Sequence, residues 1–413
     1  MRRREFLEAA GVAAIAGLAG GCSVRKTVVQ AAPPAPAAQP LSVNLAVPRI
    51  SWERVIRTTV GLRPHRDSGF VLKAVKFDEK TVIHNYGFGG AGMSLAWGCG
   101  AMAAEMALQH RERRAAVLGC GSPGLTAARQ LQRRGFEVTI YTMTVPPDTT
   151  SNMSWAGFTP TTALIENSRR TPAWDAQFRQ AAEISYRQLQ LMAGEPGYGV
   201  YWIDSYDCTD EQNPPAASGH TGAGELLPDY LRPERDRQIL GPGEHPFPTR
   251  YAIRRPSLAI EPSIYLDALV RDFLMFGGRI VIRKFDTPRD LMPLTESIVV
   301  NCTGLGSKTL FGDDELVPIK GQLTMCVPQP EVHYRAFHEK AMINPRSDGL
   351  VIGNLMDRGN ASLEVDEEVR KANMEAAIEF FGAMKPPAAG VRITQSMPPR
   401  EASRLESFYR LDS

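Results

Sequence analysis

The chain is poor in cysteine, with 6 in 413 residues. Cys99, Cys120, Cys208, Cys302 and Cys326 form no Cys-x-x-Cys pair and show no histidine spacing suited to zinc. A disulfide scaffold and a structural metal are therefore not expected, and these thiols read as small buried residues. There is also no charge excess: 47 Lys and Arg against 45 Asp and Glu leave a net charge of +2. The arginines are scattered rather than gathered into a basic run, so no nucleic-acid partner is expected. No internal repeat is visible, and the apolar run at 9–19 is too short to span a bilayer comfortably. What is present is an ordinary globular composition, 43% hydrophobic and 22% charged, with enough chain for about two domains and a large core.

The amino-terminal stretch differs. "MRRREFLEAAGVAAIAGLAGGC" has a basic head, a short apolar middle and small residues after it, the form of an export signal. Arg3-Arg4-Glu5-Phe6-Leu7 resembles the twin-arginine type, implying passage through the twin-arginine export machinery. Ala19-Gly20-Gly21-Cys22 resembles a lipoprotein cleavage box, with Leu18 one place early. Two readings stay open: Cys22 carries a lipid that anchors the chain to the membrane, or it merely ends the signal. The expected location is the periplasm, free or lipid-anchored. An Ala/Pro-rich tether fills 23–46, with structure expected to begin near 41–47.

"RAAVLGCGSPGLTAARQLQRRGFEVTIYT" reads as strand (115–118), glycine turn, helix (125–134) and strand (138–141). In this context Gly119 allows the tight turn, Gly121 lets a pyrophosphate approach the backbone, and Gly124 lets helix and strand pack closely; Ser122 opens the helix. The amides at the helix start then face the phosphates. The acid that normally grips the adenosine ribose is missing, because the second strand ends Tyr141-Thr142-Met143-Thr144. Downstream, the pattern predicts helices over 174–192, 262–276 and 366–384. It predicts strands over 279–283 and in "ESIVVNCTG", and antiparallel strands in "GYGVYWIDSYDC" and "GLVIGNLMD".

Several stretches together resemble the D-amino acid oxidase family of FAD flavoproteins. They are "GLRPHR", "VIHNYGFGGAGMSLAWGCG", "VLGCGSPGLTAA", "VPPDTTSNMSWAGFTP", "IVVNCTG" and "KGQL". In that family the dinucleotide motif opens the chain, and GLRP-x-R with HNYG-x-GG closes it. Here the closing segment comes first, so the chain resembles a circular permutation joined at 109–114. The implied fold is α/β, a Rossmann-like FAD-binding domain interleaved with an antiparallel-sheet substrate domain. The expected order is an FAD-binding domain at 47–173 (closing motif 61–108, dinucleotide motif 115–160) and a substrate domain at 174–255. A second FAD-binding part follows at 256–312 and a second substrate part at 313–365. A helix at 366–384 returns to the FAD domain, and a tail of open role fills 385–413.

The resemblance implies FAD, held by Gly89, Gly90, Gly92, Met93 and Ser94, by Gly119, Gly121, Ser122 and Gly124, and by Thr149, Thr150 and Ser151. Lys284 and Phe285 would lie near the adenine, and Thr303 and Gly304 at another cofactor turn. Arg63 would clamp a substrate carboxylate as the catalytic anchor, with Gly90 beside the substrate, while Arg66 and His84 read as structural. At two positions where the family has substrate tyrosines, an ungapped match puts His338 and Met342, with Tyr334 near enough to substitute. The implied reaction is oxidation of the C–N bond of a D-amino acid or related amine by hydride transfer to FAD. Oxygen would be reduced to hydrogen peroxide, and the imine would hydrolyse to a 2-oxo acid and ammonia. The alternatives are a dehydrogenase feeding a quinone or carrier, and a flavin-fold binding protein without turnover.

Overall fold

A computed structural model describes residues 43–212, 222–232 and 236–387. In chain order, strand β1 (Val55–His65) is followed by the hairpin β2 (Val71–Phe77) and β3 (Lys80–Tyr86). Then come helix α1 (Gly92–Leu108), β4 (Arg114–Leu118), α2 (Ser122–Gln132), β5 (Glu137–Thr142) and α3 (Pro172–Ala193). Next are β6 (Val200–Thr209), β7 (Gln238–Leu240), β8 (Tyr251–Ile260), α4 (Pro262–Met275), β9 (Arg279–Ile282), β10 (Ile298–Asn301) and α5 (Gly306–Phe311). The series ends with β11 (Val317–Cys326), β12 (Tyr334–His338), β13 (Ala341–Arg346), β14 (Gly349–Ile352), β15 (Asp357–Arg358) and α6 (Glu367–Gly382). The export signal, the proposed lipid site at Cys22 and the tail from 388 lie outside the described residues, and no helix among those described is long and apolar enough to cross a membrane.

Two sheets form. One has the order β2-β3-β10-β4-β5-β9 and is parallel from β3 to β9. Its central strands, "RAAVL" and "IVVN", are continuous apolar runs because helices cover both faces. β10 lies between β3 and β4, and α1 carries the chain over it through residues 109–113. The second sheet has the order β1-β11-β14-β13-β12-β6-β8-β7, with β15 added to β11.

Alternation gives the second sheet two different faces. Tyr206, Tyr334, Ala336, Ile343 and Ile352 point outward and are covered by Met374, Phe380 and Phe381 of α6. Leu323, Met325 and Val351 point inward, against Trp155.

This arrangement moves several expected boundaries. Val43, Leu45 and Ala46, read as tether, are buried in the core under α6. β1, placed with the FAD-binding domain, is an edge of the antiparallel sheet, paired with β11 from Val55 to His65. α3, placed with the substrate domain, packs instead on α1. A Cβ on Gly98 would lie 2.1 Å from the Ala181 carbonyl oxygen, and the Gly98 amide donates to Ser185 Oγ at 2.8 Å. α6 does not return to the FAD-binding sheet, because its Phe380 and Phe381 complete the outer core of the antiparallel sheet.

Gly98→Ala tests the α1–α3 contact. Alanine is favoured by about 1 kcal/mol inside a helix, but overpacking against backbone costs about 1–3 kcal/mol, and α3 cannot yield without leaving the core. The variant is expected to unfold at lower denaturant concentration than the parent with an unchanged slope.

Candidate active site

The carboxyl ends of β3, β10, β4, β5 and β9 open into a cavity of about 520 Å³, closed on the far side by Gly61–Pro64 of β1 and Gly321 of β11. Both glycine loops reach it. Gly87, Gly89, Gly90 and Gly92 line it after β3, and Gly119 and Gly121 line it after β4. Three of these need glycine for conformation, with φ of +85° at Gly87, +52° at Gly89 and +102° at Gly119. Gly121 is open to the cavity, and a Cβ there would press to 3.0 Å on Ser151 Oγ.

Two helices begin at this cavity, and neither is capped by the side chain of its own N-cap residue. α1 and α2 have no side-chain cap and no acid in the first turn, whereas α3 is capped by Thr171 and α6 by Asp366. An uncapped helix start presents amide donors and a partial positive charge to whatever anion lies in front of it. The donor set therefore fits a dinucleotide: phosphates before α2, and an electron-rich ring edge before α1.

The expected residues divide into those that line the cavity and those that shape it. Arg63, Gly89, Gly90, Gly92, Met93, Gly119, Gly121, Thr149, Thr150, Ser151, Lys284, Phe285, Thr303 and Gly304 are in the wall. Ser94, Ser122 and Gly124 are one layer behind it. Ser94 Oγ donates to the Gly157 carbonyl at 3.0 Å and accepts from the Thr159 amide at 2.8 Å. The Ser122 amide donates to Ser151 Oγ at 3.0 Å. Gly124 lies so close under Gly119 that a Cβ would sit 2.0 Å from its carbonyl oxygen.

His338 and Met342 do not line the cavity, and strand parity explains the first. His338 shares the outward face of β12 with Tyr334 and Ala336, stacks on Phe380 at 4.4 Å, and hydrogen-bonds the Cys208 carbonyl at 3.0 Å. Tyr334 is no substitute, since its hydroxyl donates to the Ala46 carbonyl on that same outer side. Met342 lies on the inward face of β13 with Asn344 and Arg346, away from the cavity wall.

Arg63 is the unusual group in the wall. Its Nη1 donates to the Leu355 carbonyl at 3.1 Å and its Nη2 to Asn354 Oδ1 at 3.0 Å. Among the described residues no carboxylate pairs with it, and burial pushes its pKa down to about 10. Gly321 makes room for it: a Cβ there would lie 2.4 Å from Arg63 Nη1. Arg66, on the same segment, is fully compensated, with Asp313 at 2.9 Å and Glu315 at 2.5 Å. It is structural, as expected.

Sequence reasoning missed the group that fixes the wall behind Thr150 and Ser151. Three inward side chains of the antiparallel sheet catch three successive carbonyls. Arg346 Nη1 donates to Ser154 at 3.2 Å, Asn344 Nδ2 to Trp155 at 2.9 Å, and Arg335 Nη2 to Ala156 at 2.7 Å. Ser94 then takes the fourth, on Gly157. Arg335 is buried, bonded also to Asn344 Oδ1 at 2.8 Å, and its pKa is pushed down to about 10 by burial. The available signal was a run of polar residues at alternate positions of otherwise apolar strands.

A cavity with glycine turns and helix starts at one end, and at the other a buried arginine with no carboxylate partner among the described residues, fits a dinucleotide-binding protein of two-sheet build. The family follows from comparison. The model for FAD dependent oxidoreductases matches residues 37–106 and 114–402, and the chain belongs to that family, with FAD as its cofactor. The D-amino-acid oxidase of Rubrobacter xylanophilus is 27% identical over 302 residues, covering 71% of this chain and 85% of that one. A D-amino-acid oxidase of Streptomyces coelicolor is 28% identical over 314 residues, covering 72% and 86%. Among solved structures, iminodiacetate oxidase from Chelativorans sp. BNC1 aligns with a TM-score of 0.47 at 16% identity, covering 69% of this chain and 84% of that one.

His84, in the loop motif, is packed rather than poised. Its Nδ1 accepts from Asn301 Nδ2 at 3.1 Å and its ring meets Phe311 edge-on at 4.9 Å. Burial lowers its pKa to about 4. An unfolded histidine titrates near 6.5, so between these values the unfolded chain binds the extra proton. The His84 contribution to stability is then complete above about pH 6.5 and falls as pH drops toward 4, by about 3 kcal/mol in total at about 1.4 kcal/mol per pH unit. Denaturant titrations across this range should show that slope in the parent and a shallower one in His84→Leu.

Proposed function

We propose that this protein oxidises the C–N bond of an amino acid whose carboxylate is gripped by Arg63. The observation that carries this reading is the guanidinium itself, sunk in the cavity wall and held by two neutral acceptors, with no acid beside it among the described residues. A cation kept in this state is completed by an anionic ligand, and a guanidinium holds a carboxylate through a planar two-point contact. The names of the matched relatives, D-amino-acid oxidases, point to the D series.

When bound, FAD supplies the acceptor for the hydride leaving the substrate carbon. The chain supplies position and field. Arg63 fixes the carboxylate, and the bare start of α1 at Gly92 and Met93 offers positive potential where charge accumulates. Thr149, Thr150 and Ser151, with the start of α2, hold the phosphate side, and Lys284, Phe285, Thr303 and Gly304 flank the cofactor. Gly90 adjoins the substrate. Neither His338 nor Met342 has a role in this scheme.

Oxygen as the acceptor, export through the twin-arginine route and lipidation at Cys22 belong to the same proposal, the last two resting on the signal-like residues 1–22. So does the permuted order: the family match breaks between 106 and 114, at the short joint between α1 and β4.

The test is direct. The purified protein, kept free of oxygen, should lose its visible flavin absorbance on addition of the right D-amino acid and release hydrogen peroxide once air is admitted. Arg63→Ala should keep its flavin and lose about ten- to a hundredfold or more in kcat/KM, the worth of a hydrogen bond to a charged group. Gly321→Ala, which crowds the guanidinium, should raise KM in the same direction. Unchanged kinetics in both would reject the carboxylate clamp.

A further inference from the structure

The ribose problem left by the sequence has a structural answer. β5 ends at Thr142, and the position where an acid would grip the adenosine ribose is Met143, a cavity-lining residue that is 60% exposed and has no group to accept a hydroxyl proton well. Thr142 offers only a neutral hydroxyl, already turned to donate to the Thr144 carbonyl at 2.7 Å, and is a weaker acceptor than a carboxylate. Glu296 lies near but beneath, buried and reached by the Tyr141 hydroxyl.

Among the described residues that line the cavity, only one carries a carboxylate: Asp286. It follows β9, the parallel neighbour of β5, with Ile282 in register with Thr142. It is therefore one strand further from the phosphate turn than Met143 is, on the same edge of the sheet. Its backbone is fixed. Asp290 Oδ2 accepts from the Asp286 amide at 2.8 Å and from the Thr287 amide at 2.9 Å, within a capping box that closes the turn. Its carboxylate meets only Lys284, at 2.6 Å, in a pair with both side chains about two-thirds exposed. Such a pair is worth about 0–1 kcal/mol and does not hold the acid in place against a better partner.

We infer that Asp286 holds the adenosine ribose of FAD, taking over from β9 the task that an acid at the end of β5 would perform. An ionised carboxylate accepts hydrogen bonds only, and the ribose offers hydroxyl donors. The phosphates stay at Gly119 and Gly121, so the like-charge repulsion that an acid beside them would cause is avoided. Arg283 and Lys284, also in the wall, add positive charge on that side. The inference rests on FAD being the cofactor.

The test reads binding rather than turnover. FAD and its 2′-deoxyadenosine analogue are each titrated onto the full chain freed of flavin, and the quenching of flavin fluorescence gives Kd. The parent is expected to bind FAD about ten- to a hundredfold more tightly than the analogue. Asp286→Ala should bind FAD that much more weakly than the parent while binding the analogue equally well. Asp286→Asn, which keeps one acceptor oxygen and the shape of the loop, should fall between. A parent that does not distinguish the two ligands overturns the inference, as does an Asp286→Ala variant that still distinguishes them or loses both equally. A parent that binds neither ligand overturns the cofactor assignment itself.

Discussion

The site depends on how one loop is held. Residues 154–157 leave the parallel sheet and cross to the antiparallel one, and all four of their carbonyls are taken by side chains: Arg346, Asn344, Arg335 and Ser94. Buried carbonyls must find donors, and here the donors come from both halves of the molecule. The loop is therefore the seam between them. On one side it continues into Thr149–Ser151 of the cavity wall, and on the other it is tied to α1, whose start lines the opposite end of the cavity.

Arg335 and Arg63 make an instructive pair. Both are lowered by burial, and neither meets an acid among the described residues. Arg335 is sealed against two fixed oxygens, so its charge strengthens hydrogen bonds to neutral acceptors and is used up in structure. Arg63 has the same kind of support from Leu355 and Asn354 but borders open space. The difference between the two is that only Arg63 faces the cavity. Removing Arg335 leaves oxygens unsatisfied in the core, while removing Arg63 also opens space at the cavity wall.

The features legible in the sequence were those the backbone enforces. Gly87, Gly89 and Gly119 occupy conformations that other residues rarely adopt, and Gly124 sits where any side chain would collide with Gly119. Such demands leave a fixed mark on the residue string, and so the two loops and the cavity they share were readable. Which way a strand faces left no such mark. His338 ends a short strand that turns at Glu339, with φ of +47°, and an ungapped match across that turn said nothing of which face each residue occupied. The place of α3 was hidden for a related reason. Its contact surface is made of Ala181 and Ser185, residues that read as neutral until Gly98 is laid against them.

One consequence of the strand order concerns assembly. β3 and β4 are joined by α1 and lie close in sequence, yet they never touch, because β10 occupies the place between them. The four residues Ile298–Asn301 act as a keystone. Until they arrive, the two arms of the parallel sheet, β2–β3 and β4–β5, have unpaired inner edges facing each other across a gap of two strand spacings, roughly 10 Å. Unpaired apolar edges invite wrong partners, and closing so long a loop delays the correct one. The cofactor loops are brought together early by their short connection, but the floor beneath them is complete only when a strand from nearly two hundred positions later slides in.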